Sequence, residues 1–127
     1  MIDHVSLAVA DLAKSTAFYE QVLAPLGLAK LVAREDASTG FGKRYPEFWL
    51  NARPGIAPAL ETTGTHVCLR APSEDAVRRF HAAALALGGR DAGTPGPRQA
   101  AFTTYFGAFI LDADGNKIEA VNFPRDQ

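Results

Sequence analysis

The sequence predicts an α+β fold made of two βαβββ modules, which form a cupped mixed sheet with the helices on the outside. The first observation behind this prediction is a repeat: IDHVSLAVAD (2–11) returns as GTHVCLRAPS (64–73), at an offset of 62 residues from His4 to His66. The second is that both copies alternate apolar and other residues, which is typical of strands. The third is that a helical apolar pattern follows each copy.

The chain is 127 residues long, which is the length of a single domain. We expect one domain over 1–127, with module one at about 1–52, a connector at 53–63 and module two at about 64–123. A period of this length with two copies does not fit a solenoid repeat, which needs shorter units and at least three of them. The repeat therefore indicates two paired modules within one domain.

The alternation also assigns faces to the first strand of each module. Val5, Leu7 and Val9 share one face, and His4 lies on the opposite one. In the second copy His66 likewise opposes the aliphatic residues. Both histidines are therefore predicted on the sheet face that turns away from the helices.

Helix boundaries are marked by capping residues and glycines. Asp11 is the predicted N-cap of a helix over 12–26 that Pro25 should disturb in its last turn. Ser73 is the predicted cap of the second helix, which should end at Gly88. His81, on that second helix, is expected to be solvated.

The remaining elements are shorter. The sequence DADGN (112–116) is predicted to be a hairpin turn. The segment 92–99 holds two prolines and two glycines and is predicted to be a loop beside the site. Extended runs are predicted at 29–34, 39–45, 47–52, 105–111 and 117–123.

Composition argues against several functional classes. The net charge is −1 with both signs dispersed, which disfavours nucleic acid and membrane surfaces as partners. No apolar run approaches the length of a membrane span, and the N-terminus lacks the pattern of a signal peptide. The single cysteine, Cys68, cannot form an internal disulfide. We therefore expect a cytoplasmic protein with a small-molecule substrate.

Two histidines and one glutamate form the candidate metal site. Glu119 alternates with Ile118 and Ala120 in the last predicted strand, so it is expected on the same concave face as His4 and His66. Two imidazoles and a carboxylate bind divalent metals, and three protein ligands leave positions open for water or substrate. The ligand set does not distinguish iron, zinc, nickel and manganese.

With these residues, the chain resembles the vicinal oxygen chelate superfamily, the glyoxalase/bleomycin resistance protein/extradiol dioxygenase group. The resemblance lies in IDHVSLAVADLAKSTAFYEQVLAPLGL, THVCLRA and FILDADGNKIEAV. It implies metal ligands in the first and last strand of each module, which match His4, His66 and Glu119 here. The fourth position aligns with Trp49, which cannot bind a metal, while Glu47 lies two residues earlier on the same face.

The ligand set His-His-Glu resembles that of the extradiol dioxygenases, which bind iron(II), whereas glyoxalase I uses four protein ligands. The substrate-contacting tyrosine of the dioxygenases aligns with Phe109, and Tyr105 lies four residues earlier on the same strand face. The resemblance therefore implies a metal-dependent lyase, isomerase or dioxygenase. Its substrate would be a small organic molecule that chelates the metal through adjacent oxygens.

The remaining site assignments follow from this comparison. Tyr105 and Glu47 are the predicted catalytic residues, and Arg70, Trp49 and Phe109 are the predicted substrate-binding residues. The family resemblance also implies a homodimer. The alternative is a metal-free small-molecule binding or antibiotic-resistance protein that uses the same cup.

Overall fold

The computed structural model, which describes residues 1–60 and 63–124, contains two four-stranded mixed sheets. Module one supplies strands β1 (Val5–Val9), β2 (Ala29–Arg34), β3 (Ser38–Gly42) and β4 (Phe48–Ala52) and helix α1 (Leu12–Leu23). Module two supplies β5 (Val67–Arg70), β6 (Arg90–Gln99), β7 (Thr104–Leu111) and β8 (Lys117–Asn122) and helix α2 (Glu74–Ala86). Each module therefore has the predicted βαβββ order, and the α+β fold is confirmed.

The two sheets have the same topology. Their strand orders are β1-β4-β3-β2 and β5-β8-β7-β6. In each sheet the first strand of the module pairs parallel with the last, and the other pairs are antiparallel. The 62-residue repeat in the sequence thus corresponds to a repeat of the whole module.

The helices begin and end where the capping residues predict. The Asp11 carboxylate accepts a hydrogen bond from the Lys14 amide at 3.1 Å, and the Ser73 hydroxyl accepts one from the Ala76 amide at 3.0 Å. After α1 the chain turns into a short 3₁₀ helix that contains Pro25, because proline cannot continue the α-helical hydrogen bonds. Neither described helix is long and apolar enough to cross a membrane.

One hydrophobic core lies between the two modules. Helix α1 packs against β4, β3 and β2, helix α2 packs against β7, β6 and β8, and the helices contact each other. The aliphatic faces of both sheets turn toward this shared core. Its members include Val9, Phe18, Val22, Phe48, Leu50, Val77, Phe80, Ala84, Ile110, Ile118 and Ala120, all of them buried.

The prediction of a loop over 92–99 is wrong, because these residues form the outer part of β6. Two register irregularities, around Gly93 and before Gly96, accommodate the glycine-rich sequence. Pro95 and Pro97 are tolerated because β6 is an edge strand. The Arg98 guanidinium further holds the bulged backbone by donating to the Gly96, Gly107 and Thr94 carbonyls at 2.7–2.9 Å.

The prediction that His81 is solvated is also wrong. His81 is 8% exposed, and its Nε2 lies 2.9 Å from the Asp91 carboxylate at the start of β6. The same carboxylate accepts the Gly93 amide at 3.0 Å. These two hydrogen bonds lower the pKa of Asp91, and the contact with His81 has the larger effect. The pair ties α2 to the edge strand of its own module.

A buried carboxylate joins the two modules. Asp112, 3% exposed, accepts a hydrogen bond from the Tyr19 hydroxyl of α1 at 2.7 Å and two more from the backbone amides of Asp114 and Asn116. The Asn116 amide group donates to Asp112 and also to the Ala8 carbonyl of β1, both at 3.0 Å. Burial raises the pKa of Asp112 and of Tyr19. The turn between β7 and β8 is thereby anchored to both β1 and α1.

The connector passes along the same turn. The Ala59 amide donates to the Asp114 carbonyl at 2.8 Å. Gly115 has φ +80°, and a Cβ there would lie 2.5 Å from the Ala59 carbonyl oxygen. Glycine is therefore required at this position both by the backbone conformation and by the close approach of the connector.

The bridge between modules gives a stability prediction. Replacement Tyr19→Phe leaves the ring in the core but removes one donor from the buried Asp112 carboxylate. We expect the free energy of unfolding, measured by urea denaturation, to fall by about 1–3 kcal/mol. The control Tyr45→Phe alters an exposed tyrosine and should change it by less than about 0.5 kcal/mol. Equal effects of the two changes would contradict the assigned bridge.

The His81–Asp91 pair gives a pH prediction. A carboxyl whose pKa is lowered by folding stabilises the protein above its unfolded pKa of about 3.9, and this stabilisation is lost as the pH falls through the folded-state value. We expect Asp91→Asn to lower Tm near neutral pH and to flatten the fall of Tm between about pH 5 and pH 3. His81→Gln should do the same. Parallel Tm curves for wild type and both variants would refute the pair's contribution.

Candidate functional site

The Glu119 carboxylate is the centre of a polar cluster on the outer face of the second sheet. Glu119 is only 5% exposed, and its Oε1 lies 3.1 Å from His66 Nε2. Its other oxygen accepts a hydrogen bond from the Tyr105 hydroxyl at 3.2 Å. The strand register surrounds Glu119 on β8 with two further members of the cluster. Its cross-strand neighbours are Cys68 on β5 and Phe109 on β7.

The two ring nitrogens of His66 both face acceptors. Nδ1 lies 3.4 Å from the Gly64 carbonyl, and Nε2 lies 3.1 Å from Glu119. A neutral imidazole carries only one N–H, so only one of these contacts is satisfied by a neutral ring. With Nδ1 protonated, the Nε2 lone pair and the carboxylate oxygen point at each other. A metal ion placed between these two atoms would satisfy both of them.

Two further groups in this cluster hold their protons at neutral pH. Burial, and then the charge of Glu119, raise the pKa of the Cys68 thiol to about 12. The same two causes raise the pKa of Tyr105 above its ordinary value. Cys68 is therefore a weak nucleophile, whereas the Tyr105 hydroxyl is available as a hydrogen-bond or proton donor.

Aromatic and cationic side chains surround the cluster. The Phe109 ring meets the His66 ring edge-on at 5.6 Å between centroids. The Lys117 ammonium lies 4.8 Å from the centre of the Phe109 ring. Arg70, predicted to bind substrate, lies over Phe123 at 5.1 Å.

His4 lies elsewhere in the chain, in a pocket of about 480 Å³ on the outer face of the first sheet. Its Nδ1 is 2.7 Å from the carboxylate of Asp3. A histidine held in this way presents Nε2 to a ligand, as metal-binding histidines do. All residues that line the pocket belong to module one; they include Arg34, Tyr45, Pro46, Trp49 and Asn51.

The single chain thus brings together two of the three predicted metal ligands. His66 and Glu119 are in contact, while His4 is on the other sheet. Within residues 1–60 and 63–124 no group of three histidine, cysteine, aspartate or glutamate side chains is arranged to hold a metal ion. Glu47 precedes β4 on the face of Trp49 but does not line the His4 pocket.

Trp49 lies across the first sheet, where the sequence comparison places a metal ligand. A Cβ at Gly40, its cross-strand partner, would lie 3.1 Å from the six-membered ring of the indole and 2.8 Å from the Pro46 ring. The indole therefore rests directly on the glycine backbone. The Arg34 guanidinium lies over the ring at 5.6 Å from its centre.

Sequence reasoning missed two members of the site. Asp3 could have been found, because a carboxylate next to a candidate ligand histidine is a common second partner. Arg34 carries no such signal: it ends β2, and only the pairing of β2 with β3 and β3 with β4 brings it near Trp49.

A second cavity, of about 230 Å³, lies between α1 and the residues that follow α2. It is lined mainly by apolar surface, and its titratable residues are Lys14 and Asp112. Asp112 is already engaged in the bridge between modules. The chemistry-bearing residues are concentrated on the outer sheet faces instead.

Comparison with known proteins identifies the family of the chain. The model of the Glyoxalase/Bleomycin resistance protein/Dioxygenase superfamily matches residues 1–120, and the chain belongs to this superfamily. A comparison with curated proteins gives no match.

Solved structures of this group are similar over nearly the whole chain. A glyoxalase/bleomycin resistance protein from Albidiferax ferrireducens T118 is 33% identical, with a TM-score of 0.82 over 96% of this chain and 98% of that one. A fosfomycin resistance protein from Listeria monocytogenes is 17% identical, with a TM-score of 0.69 over 99% and 96% of the two chains. A glyoxalase I variant from Zea mays is 24% identical, with a TM-score of 0.67. The match covers 94% of this chain and 44% of that longer chain. The last two similarities concern the fold alone.

The packing of Trp49 on Gly40 gives a prediction. Replacement Gly40→Ala should displace the indole, because the new methyl group has no space, and should destabilise the protein by about 1–3 kcal/mol. Trp49 is the only tryptophan, so its emission maximum should shift to the red. In the control Gly96→Ala the nearest atoms lie 3.9 Å from the new Cβ, and neither observable should change. An unshifted emission maximum in Gly40→Ala would contradict the described packing.

Proposed function

We propose that the protein is a homodimeric metal-dependent enzyme whose site is completed by a second copy of the chain. His66 and Glu119 of one copy and His4 of the other would hold a divalent metal. The observation that carries the proposal is the His66–Glu119 pair, in which an imidazole nitrogen and a nearly buried carboxylate face each other at 3.1 Å. Members of the superfamily commonly use divalent metals.

The shared core supports the involvement of a second copy. Both sheets turn their helix-facing sides to the same core, so their outer faces point away from it and from each other. His4 and His66 belong to these outer faces, so the two rings would not meet around one ion within one chain. A two-fold axis that places the first sheet of one copy against the second sheet of the other brings them together, twice per dimer.

Exposed apolar side chains lie beside both half-sites. Ile2, two residues before His4, is 80% exposed, and Leu60, in a small pocket with His66, is 70% exposed. Tyr45 at the rim of the His4 pocket is 55% exposed. Apolar residues next to an incomplete polar site favour an interface there.

The chemistry that this site supports is the activation of a small oxygen-bearing substrate. A divalent ion held by three protein ligands acts as a Lewis acid toward substrate oxygens when bound. Tyr105 keeps its proton at neutral pH and would donate a hydrogen bond from its hydroxyl to a substrate oxygen next to Glu119. Phe109 and Trp49 would form the walls, and Arg70 and Glu47 would lie at the rim. The reaction class is lyase, isomerase or dioxygenase.

The metal ligands are tested by elemental analysis after reconstitution with Zn²⁺, Fe²⁺, Ni²⁺ or Mn²⁺ in turn. We expect about one metal per chain in the wild type, and loss of binding in His4→Ala, His66→Ala and Glu119→Gln. The control is His81→Gln, which alters the third histidine outside the site and should keep the metal. Circular dichroism checks that each variant is folded. Stoichiometric metal in folded His66→Ala would refute the assignment.

The sharing of the site is tested by mixed dimers. His4→Ala and His66→Ala chains, co-expressed with two different tags that contain no histidine, are purified as heterodimers. If each site takes His4 from one copy and His66 from the other, one of the two sites in the mixed dimer is intact. We expect one metal per heterodimer and none in either parent. A metal-free heterodimer would rule out sharing.

A metal-free binding protein is the second candidate function. It is favoured by the pocket around Trp49, which is present in the single chain without the other half-site. This alternative predicts that wild-type protein takes up no metal under the conditions above and that His66→Ala leaves ligand binding intact. Metal uptake that depends on His4, His66 and Glu119 decides against it.

A further inference from the structure

We infer that the ligand of this site is a small organic anion, and that Arg34 is the residue that recognises its oxyanion group. Arg34 is not among the residues that the fold or the sequence motifs point to. The inference rests on the proposed function only in treating that anion as the substrate; binding itself depends on the pocket in module one.

The charge balance of the pocket is the first argument. Among its lining residues the charged groups are Asp3, His4 and Arg34. The Asp3 carboxylate contacts His4 at 2.7 Å and forms no ion pair with the arginine. In the part of the chain that the structure describes, no carboxylate lies within ion-pair distance of Arg34. The pocket is therefore lined by a guanidinium that no described carboxylate pairs with.

The position of the guanidinium is the second argument. Its Cζ lies over the Trp49 ring, 5.6 Å from the ring centre, and a cation–π contact of this kind leaves the guanidinium N–H groups available to a ligand. Those N–H groups match the two oxygens of a carboxylate or phosphonate. The indole itself packs on Gly40, so the arginine lies beside a fixed ring.

The surroundings disfavour a cationic ligand. A cationic ligand would be repelled by Arg34 and, in the completed site, by the metal ion. The pocket volume of about 480 Å³ matches a small organic molecule. In the other half-site Lys117 also lies beside an aromatic ring, at 4.8 Å from Phe109, so both halves present a cation next to a proposed metal ligand.

The test uses the single tryptophan, whose indole N–H gives one cross-peak in a ¹H–¹⁵N spectrum. Metal-stripped protein is titrated with benzoate, with phenylphosphonate and with benzamide, which is the uncharged isostere of benzoate. We expect both anions to shift the cross-peak saturably and benzamide to leave it in place. The relative affinities of benzoate and phenylphosphonate then identify which oxyanion is preferred.

The matched variants are Arg34→Gln and Arg79→Gln, which change the net charge equally. Arg79 is on α2 and pairs with Asp75, away from the pocket. We expect benzoate binding to weaken about tenfold or more in Arg34→Gln, from the loss of charge-assisted hydrogen bonds, and to be unchanged in Arg79→Gln. The affinity of Arg34→Lys for benzoate should lie between those of the two variants, because lysine keeps the charge but lacks the planar guanidinium with its paired N–H groups.

Equal binding of benzoate and benzamide, or equal loss in Arg34→Gln and Arg79→Gln, would overturn the inference. Metal analysis on the same preparations separates the two proposals. Anion binding that depends on Arg34 in a protein that takes up no metal would support this inference and refute the proposed metal site. Metal uptake with no response to either anion would support the proposed metal site and refute the inference about Arg34.

Discussion

The buried carboxylate of Asp112 is the interaction on which the arrangement of the two modules depends. A carboxylate that is 3% exposed must be fully hydrogen-bonded to be tolerated, and its donors come from both modules: Tyr19 from α1, and Asn116 and the Asp114 amide from the turn after β7. Asn116 extends the network to β1. The helices are thereby directed toward each other, and the polar faces of both sheets are left outside.

This arrangement explains why the candidate site is divided. Each module carries one histidine immediately before its first strand, and only module two carries a carboxylate, Glu119, in the matching last strand. In module one the corresponding place holds Trp49, seated on Gly40. One half therefore has a histidine in contact with a nearly buried glutamate, and the other has a histidine beside a pocket that contains Trp49 and Arg34. The two halves are chemically different although their backbones repeat.

Much of the fold was predictable because it is encoded locally: alternation defined the strands, and Asp11 and Ser73 defined the starts of the helices. The bulged strand at 92–99 was not, because its pairing depends on the edge position and on Arg98, which a local pattern does not contain. For the site, the contact of His66 with Glu119 followed from strand faces. The separation of His4 from this pair could not be predicted in the same way, because it depends on how the two modules pack together.

The irregular strand β6 has a consequence for how copies of the chain associate. Each sheet has two free edges, formed by β1 and β2 in module one and by β5 and β6 in module two. Two prolines deprive β6 of backbone donors, and its bulges break the regular spacing that an added strand would need. The strands next to the histidines, β1 and β5, carry no proline. Addition of a further strand to the second sheet is thus disfavoured at the β6 edge.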